Sequence, residues 1–239
     1  MSESERKTVI AVDGPAASGK GTFAKALASR LGYAYLDTGV LYRTIALATL
    51  QRGGDPSNLE DVKPSLGIIK YPLAPELLKN EDLRSPEVDE SVPLVSGHPE
   101  VRSVVRASQE AFIKNPPANV AGVVLDGRDI GSVVCPDADV KFFVTADAEV
   151  RARRRFEQQK SNDPKLTVEM VLKDINMRDQ RDGKQVGSGL RATADAYVLD
   201  TTKAKPDETL EKGLAIVKAK LSANDNGAVV KARKYGPTL

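Results

Sequence analysis

Residues 14–22 read Gly14-Pro15-Ala16-Ala17-Ser18-Gly19-Lys20-Gly21-Thr22, directly after a β-branched run at 8–13 (TVIAVD) and directly before the helical pattern FAKALASRL. No other feature of the chain narrows its possible folds as far. A strand, a glycine-rich turn and a helix in this order form a βα unit whose loop turns successive backbone N–H groups inward as an anion cradle. The helix N-terminus adds partial positive charge, and the lysine ammonium reaches the β- and γ-phosphates of a nucleotide. Glycine is required where a Cβ would collide with the phosphate or forbid the turn. Residues Gly14 to Thr22 are therefore the candidate ATP-binding segment, with Lys20 catalytic and the Thr22 hydroxyl a ligand for Mg²⁺. The common pattern sets Ser or Thr straight after the lysine; here Gly21 intervenes. A glycine-rich turn with an exposed lysine is the alternative reading.

Four more short apolar runs follow, near 33–37, 120–125, 140–145 and 197–200. Helical stretches lie at 40–50, 148–160 and 210–221. Nearly continuous apolar strands alternating with helices predict an α/β fold, a parallel five-stranded sheet flanked by helices. Residues 56–100 hold seven of the 14 prolines and show poor periodicity, so they are read as an insert on that core. Residues 222–239 lack regular periodicity and are expected to be disordered.

Composition removes whole classes of chemistry. A single cysteine, Cys135, can form neither an internal disulfide nor a Cys-based zinc site, and one histidine, His98, excludes any scheme needing two imidazoles. Cys135 is read as a packing residue. The net charge of +2 and the aromatic share of 5% with no Trp speak against a nucleic-acid platform. The polar start MSESERK has no apolar targeting segment, and no apolar stretch approaches a membrane span. A reduced, cytoplasmic compartment and a monomer are expected.

The phosphate loop alone specifies only a nucleoside triphosphate. GTPase strings D-x-x-G and N-K-x-D are absent from the sequence. Three arginine-bearing clusters remain: Asp37-Thr38-Gly39-Val40-Leu41-Tyr42-Arg43, Asp126-Gly127-Arg128-Asp129, and residues 151–191. The last holds eleven Lys/Arg against six Asp/Glu, a local excess of five positive charges in a nearly neutral protein. Each follows a strand's carboxyl end or the helix after one, where open α/β sheets bind ligands. Simpler readings stay open: Asp37 or Thr38 as a helix cap, Asp-Gly as a tight turn, and the arginine-rich helix as a solvated face.

In order along the chain, IAVDGPAASGKGT, LDTGVLYR, RSPEVDESVPLVSGHPEVR, LDGRDIG, and MRDQRD followed by ADAYVLDTT resemble the cytidylate kinase family of nucleoside monophosphate kinases. The resemblance implies a P-loop core (1–55 and 116–221), a monophosphate-binding insert (56–115) and a lid near 150–165. It implies ATP- and Mg²⁺-dependent phosphorylation of CMP and dCMP. It also implies Arg102 and Asp129 near the cytosine, Thr38, Tyr42, Arg43, Arg128 and Arg178 around the acceptor, and Asp182 at the sugar. Arg128, Arg178, Arg151 and Arg154 join Lys20 as candidate catalytic residues. The chain departs from the family at Pro93, where a Ser is usual, and at Gln185, where an Arg is usual. Weaker discrimination against UMP and one weaker phosphate contact are the expected results, with Lys184 or Arg191 as substitutes for that contact. Other P-loop kinases of UMP, shikimate or dephospho-coenzyme A are the nearest alternatives, and a nucleotide-regulated RNA-binding module is a remoter one.

Such a transfer needs positioning and charge neutralisation rather than proton removal. A nucleoside monophosphate, with a second pKa near 6, is already almost a dianion at pH 7. His98 therefore has no required role, and arginines suit the task because each can hold two phosphate oxygens.

Overall fold

Burial of the strands on both faces dictates the layering. The computed structural model describes residues 7–74, 80–161, 163–184 and 190–234. Strands β1 (Thr8–Asp13), β2 (Ala34–Asp37), β3 (Gly122–Gly127), β4 (Val140–Thr145) and β5 (Tyr197–Asp200) pair in the order β2-β3-β1-β4-β5, all parallel. Side chains alternate across the sheet as the two-residue period requires. Ile10 and Val12 face α1 (Lys20–Leu31) and the C-terminal helix, in a core with Phe23, Leu27, Phe142, Leu199 and Val217. Val9 and Ala11 face the opposite side, with Leu36, Phe112, Val123, Leu125 and Ile130. The chain leaves β1 for β2 on one side and returns to β4 on the other, so the strand order reverses around β1. That switch point opens the ligand crevice at the carboxyl ends of β1 and β3.

The proline-rich insert is more helical than its composition suggests. It comprises α3 (Leu59–Val62), 3₁₀ turns at Lys63–Ile69 and Glu81–Arg84, α4 (Pro86–Gly97) and α5 (Pro99–Lys114). Pro86 and Pro99 occupy first helical positions, where a missing N–H is no loss, so these prolines start helices rather than interrupt them. Ser85 caps α4 by accepting from the Val88 N–H at 3.3 Å. Val88, Val95, Val101 and Val105 pack on Leu41 and Ile45 of α2 (Thr38–Gln51), which the insert thus shares with the core. His98 sits between α4 and α5 with Nε2 3.2 Å from the Pro56 carbonyl oxygen, a packing contact.

Helices α6 (Ala148–Gln159) and α7 (Val168–Lys184) pack through Ala152, Val171 and Ile175, with Phe156 and Leu166 alongside. The expected lid of 150–165 corresponds to most of α6 and the turn after it. The final helix, α8 (Pro206–Lys234), runs beyond the expected end at 221. The chain meets no proline between Pro206 and Pro237, so nothing in the sequence breaks this helix before Lys234. Residues 235–239 lie outside the described residues. No helix among the described residues is long and apolar enough to cross a membrane.

Gly213 marks the closest approach of α8 to α1. A Cβ there would lie 2.5 Å from Cε2 and 2.6 Å from Cζ of Phe23. That ring is buried and held edge-on against Phe142 at 5.1 Å between centroids, so it has little room to yield. Gly213→Ala gains about 1 kcal/mol of helix propensity but meets overpacking of about 1–3 kcal/mol. The expected outcome is a net loss of stability and a Tm lower by a few degrees on thermal unfolding; a raised Tm would show that the two helices separate freely.

Candidate active site

The loop after β1 is shaped from behind. The carbonyl oxygens of Gly14, Ala16 and Ser18 accept hydrogen bonds from Arg128 Nη1 (3.3 Å), Arg151 Nη1 (3.3 Å) and Thr201 Oγ1 (2.8 Å). In a trans peptide the next N–H points opposite to the carbonyl, so fixing Ala16 and Ser18 aims the Ala17 and Gly19 N–H groups to the other side. Ala17 and Gly19 adopt left-handed φ of 58° and 87°. A Cβ on Gly14 would lie 2.1 Å from the Val144 carbonyl oxygen, so only glycine lets the loop pass β4. Pro15 and Ser18 are buried against the sheet. This loop is a set of amide donors held in place before any ligand arrives.

Each donor has its own support. Arg151 is buried, with Nε on the Ala146 carbonyl at 2.9 Å and two nitrogens on the Asp179 carboxylate at 3.2 and 2.6 Å. Arg154 donates to the Thr201 hydroxyl at 2.9 Å and to its carbonyl at 2.6 Å. Arg151 and Arg154, which the sequence presents as catalytic candidates, thus reach the loop's back and Thr201. Their helix is not simply a solvated charged face.

Strand register then brings acidic groups beside Lys20. Asp37 pairs with Asp126, and Val12 with the same Asp126, across adjacent strands. Burial, then the Asp37 charge, push the Asp126 carboxyl up; burial, then the Arg128 charge, push the Lys20 ammonium down. Tyr35 donates to Asp126 Oδ1 at 3.2 Å, and Thr38 donates to the Asp126 carbonyl at 2.7 Å. Asp37 also caps α2 by accepting from the Gly39 N–H at 3.0 Å, so the capping alternative is correct as well. A Cβ on Gly21 would sit 3.2 Å from Asp126 Oδ2, so a larger residue between Lys20 and Thr22 would crowd that carboxylate. Thr22 is exposed at the start of α1. Hydroxyl and carboxylate oxygens are the hard donors that Mg²⁺ prefers, so the residues present fit that ion.

Beyond Arg128 the arginines gather. Arg128 Nε lies 3.0 Å from Asp182 Oδ2, which makes no hydrogen bond of its own. Asp182 and Arg178 stand one turn apart on α7 and share a face. Burial and the Arg128 charge pull the Arg178 guanidinium down to about 10, still a full positive charge at neutral pH. Arg43 donates to the Leu83 carbonyl at 2.7 Å and to Asp89; Arg155 donates to the other oxygen of Asp89. Nearby, Tyr42 is pushed above its usual range by burial and by Asp129, while burial raises the Asp129 carboxyl. Arg102 holds the end of α4 through the carbonyls of Ser96 (2.7 Å) and Gly97 (2.9 Å). Pro93 lies inside α4, and the flanking Ser91 and Ser96 donate to the carbonyls of Glu87 and Pro93. Gln185 lies outside the described residues, Lys184 ends α7, and Arg191 is exposed. Burial pushes the Cys135 thiol up to about 11, in keeping with a packing role.

Asp13, Asp89, Arg155 and Thr201 were not singled out from the sequence as site residues. Asp13 is the last residue of β1, and its carboxylate accepts from the Ile130 and Gly131 N–H groups, both at 2.8 Å. It therefore fixes the turn carrying Arg128 and Asp129. Its position immediately before the glycine loop was the only sequence signal. Asp89 and Arg155 meet across a separation of 66 residues, which no local pattern reveals.

Comparison with known proteins places these residues in a family. The family model described as cytidylate kinase matches residues 10–219. The curated cytidylate kinase of Rhodospirillum rubrum is 43% identical over 209 residues, 87% of this chain and 96% of that protein. That of Azorhizobium caulinodans is 44% identical over 209 residues, 87% of this chain and 97% of its own length. Among solved structures, TT1252 from Thermus thermophilus aligns with a TM-score of 0.52 at 22% identity, covering 91% of this chain and 99% of that one. The last likeness is one of fold.

Asp13 gives the site a measurable pH signature. Burial raises its pKa to about 6 despite the two N–H donors. An acid whose folded pKa is raised binds its proton more tightly in the folded chain, so its stabilising effect is complete at low pH and is lost as pH rises toward 6. Relative to Asp13→Asn, which does not titrate there, wild-type stability should fall by about 2 kcal/mol between pH 4 and 7, on the scale of 1.36 kcal/mol per unit. Urea unfolding across that range tests this; a pH-independent difference would contradict it.

Proposed function

The chain belongs to the cytidylate kinase family, and on that premise we propose that it transfers the γ-phosphoryl group of ATP to CMP and dCMP, forming CDP and dCDP. One observation carries the reading beyond a generic nucleotide site. Arg128 donates through Nη1 to the Gly14 carbonyl of the phosphate loop and pairs through Nε with Asp182 beside Arg178, so one guanidinium joins the donor cradle to the arginine cluster. Two anions can be brought into line there without their mutual repulsion dominating.

The roles follow from position. The loop from Gly14 to Thr22 cradles the ATP phosphates through its amides, and Lys20 meets the oxygens where charge shifts during transfer. The Thr22 hydroxyl, with Asp37 and Asp126, would hold Mg²⁺, which neutralises charge on the β- and γ-phosphates when bound. Arg43, Arg128 and Arg178 hold the acceptor phosphate, with Thr38 beside them. Asp182, whose Oδ2 keeps free lone pairs, accepts from a sugar hydroxyl. Tyr42, Arg102 and Asp129 take the base. Arg151 and Arg154 act as positioning residues through Ala16 and Thr201. The acceptor oxygen needs no general base, since it is already ionised near pH 7. Residues 1–55 and 116–221 serve as the core, 56–115 as the monophosphate-binding insert, and α6 with its following turn as the lid that excludes water on closure. A monomeric, cytoplasmic enzyme that binds no nucleic acid is part of this proposal.

An ADP-release assay with CMP, dCMP, UMP, AMP, shikimate and dephospho-coenzyme A tests it directly. CMP and dCMP should be the preferred acceptors, and turnover of a different acceptor alone would overturn the reading. Pro93 offers no hydroxyl and no N–H to the base, so the kcat/KM preference for CMP over UMP should stay below about 10⁴, the range of sites with dedicated hydrogen bonds. Lys20→Ala should lower kcat by at least about a hundredfold, as loss of a transition-state donor does; near wild-type turnover would remove the lysine from the mechanism.

A further inference from the structure

Asp89 lies where three parts of the molecule meet. It sits in the first turns of α4 in the insert, and its two carboxylate oxygens accept from Arg43 of the core helix α2 and from Arg155 of the lid helix α6. Arg178 lies close enough to feel the Asp89 charge. Arg43 is simultaneously bonded to Leu83, so one N–H of each terminal nitrogen is turned to the insert and the Asp89 carboxylate covers the Nη2 side. A phosphate oxygen that approaches Arg43 on the Nη2 side takes the place of the Asp89 carboxylate, and on any other side it meets the repulsion of that carboxylate a few ångströms away.

We propose that Asp89 is an internal competitor for the acceptor phosphate: its carboxylate occupies Arg43 and ties Arg155 of the lid to the insert until a nucleoside monophosphate displaces it. The inference rests on the proposed CMP kinase function and deepens it. Four guanidinium groups (Arg43, Arg128, Arg155, Arg178) and two carboxylates (Asp89, Asp182) leave two net positive charges, which match a monophosphate dianion. Without Asp89 the cluster would carry three and would bind any small phosphate more readily. Asp89 thus sets acceptor affinity downward in exchange for selectivity against inorganic phosphate. Because one carboxylate joins lid and insert, its displacement also frees the lid to close on both substrates.

Asp89→Asn, which keeps the shape, and Asp89→Ala, which suits the helix, both remove the charge. At saturating ATP and Mg²⁺, KM for CMP should fall about tenfold in either variant, the scale of one charged hydrogen bond no longer opposed. Competitive inhibition by inorganic phosphate against CMP should tighten by a similar factor. Inhibition by cytidine, which has no phosphate, should not change, and neither should KM for ATP. An unchanged or raised KM for CMP would overturn the inference, since Asp89 would then be inert or would orient the arginines. A parallel shift for cytidine would also overturn it, by showing a general effect on the insert. A wild-type chain that turned over no CMP would instead contradict the proposed function on which this rests.

Discussion

Three peptide carbonyls, those of Gly14, Ala16 and Ser18, hold the site together. Their donors come from three places: Arg128 after β3, Arg151 on α6 and Thr201 after β5. Each bond is modest alone, worth about 1 kcal/mol and somewhat more where the donor is charged. Their joint effect is geometric, because they fix which way the loop's amides point. Glycine at position 14 permits the loop to pass within reach of the Val144 carbonyl, and the parallel register delivers the donors to the same end of the sheet. Anion binding is thus prepared by the sheet rather than created by the ligand.

Electrostatics organises the other side of the crevice. Positive groups are not simply accumulated there; several are opposed by carboxylates at defined places. Arg151 faces Asp179, Arg128 faces Asp182, and Arg43 with Arg155 faces Asp89. Buried guanidinium groups left unpaired would be costly, and these partners keep the folded chain tolerable in the absence of substrate. The same balance leaves enough net charge for two phosphorylated ligands. Asp13 and Asp126 carry the reverse strain, carboxyls whose burial resists ionisation while backbone donors and Lys20 favour it.

Much of this was legible in the sequence where the signal is local. The loop from Gly14 to Thr22 and the apolar runs gave the parallel sheet, because β-branched strands and a glycine turn act over a few residues. Arg43 and Arg128 could be singled out as candidates because each follows a strand. Pro86 and Pro99 misled, because proline at a first helical position and proline in a loop look alike without the cap residue in view. The support for Arg151 and the link between Asp89 and Arg155 depend on contacts far apart in the chain, so composition marked the helix as basic but could not say which arginine reaches inward.

The division of charge into a donor cradle and an acceptor cluster is tested most directly by calorimetric titration of Arg178→Ala with CMP and, separately, with ATP and Mg²⁺. Arg178 is set in α7 among Arg128, Asp182, Asp89 and Arg43, whereas the carbonyls that shape the loop are held by Arg128, Arg151 and Thr201. The expected result is a loss of CMP affinity of about tenfold or more, the scale of a charged hydrogen bond, with ATP affinity changed by no more than about twofold. Equal losses for both ligands, or a loss confined to ATP, would contradict the assignment.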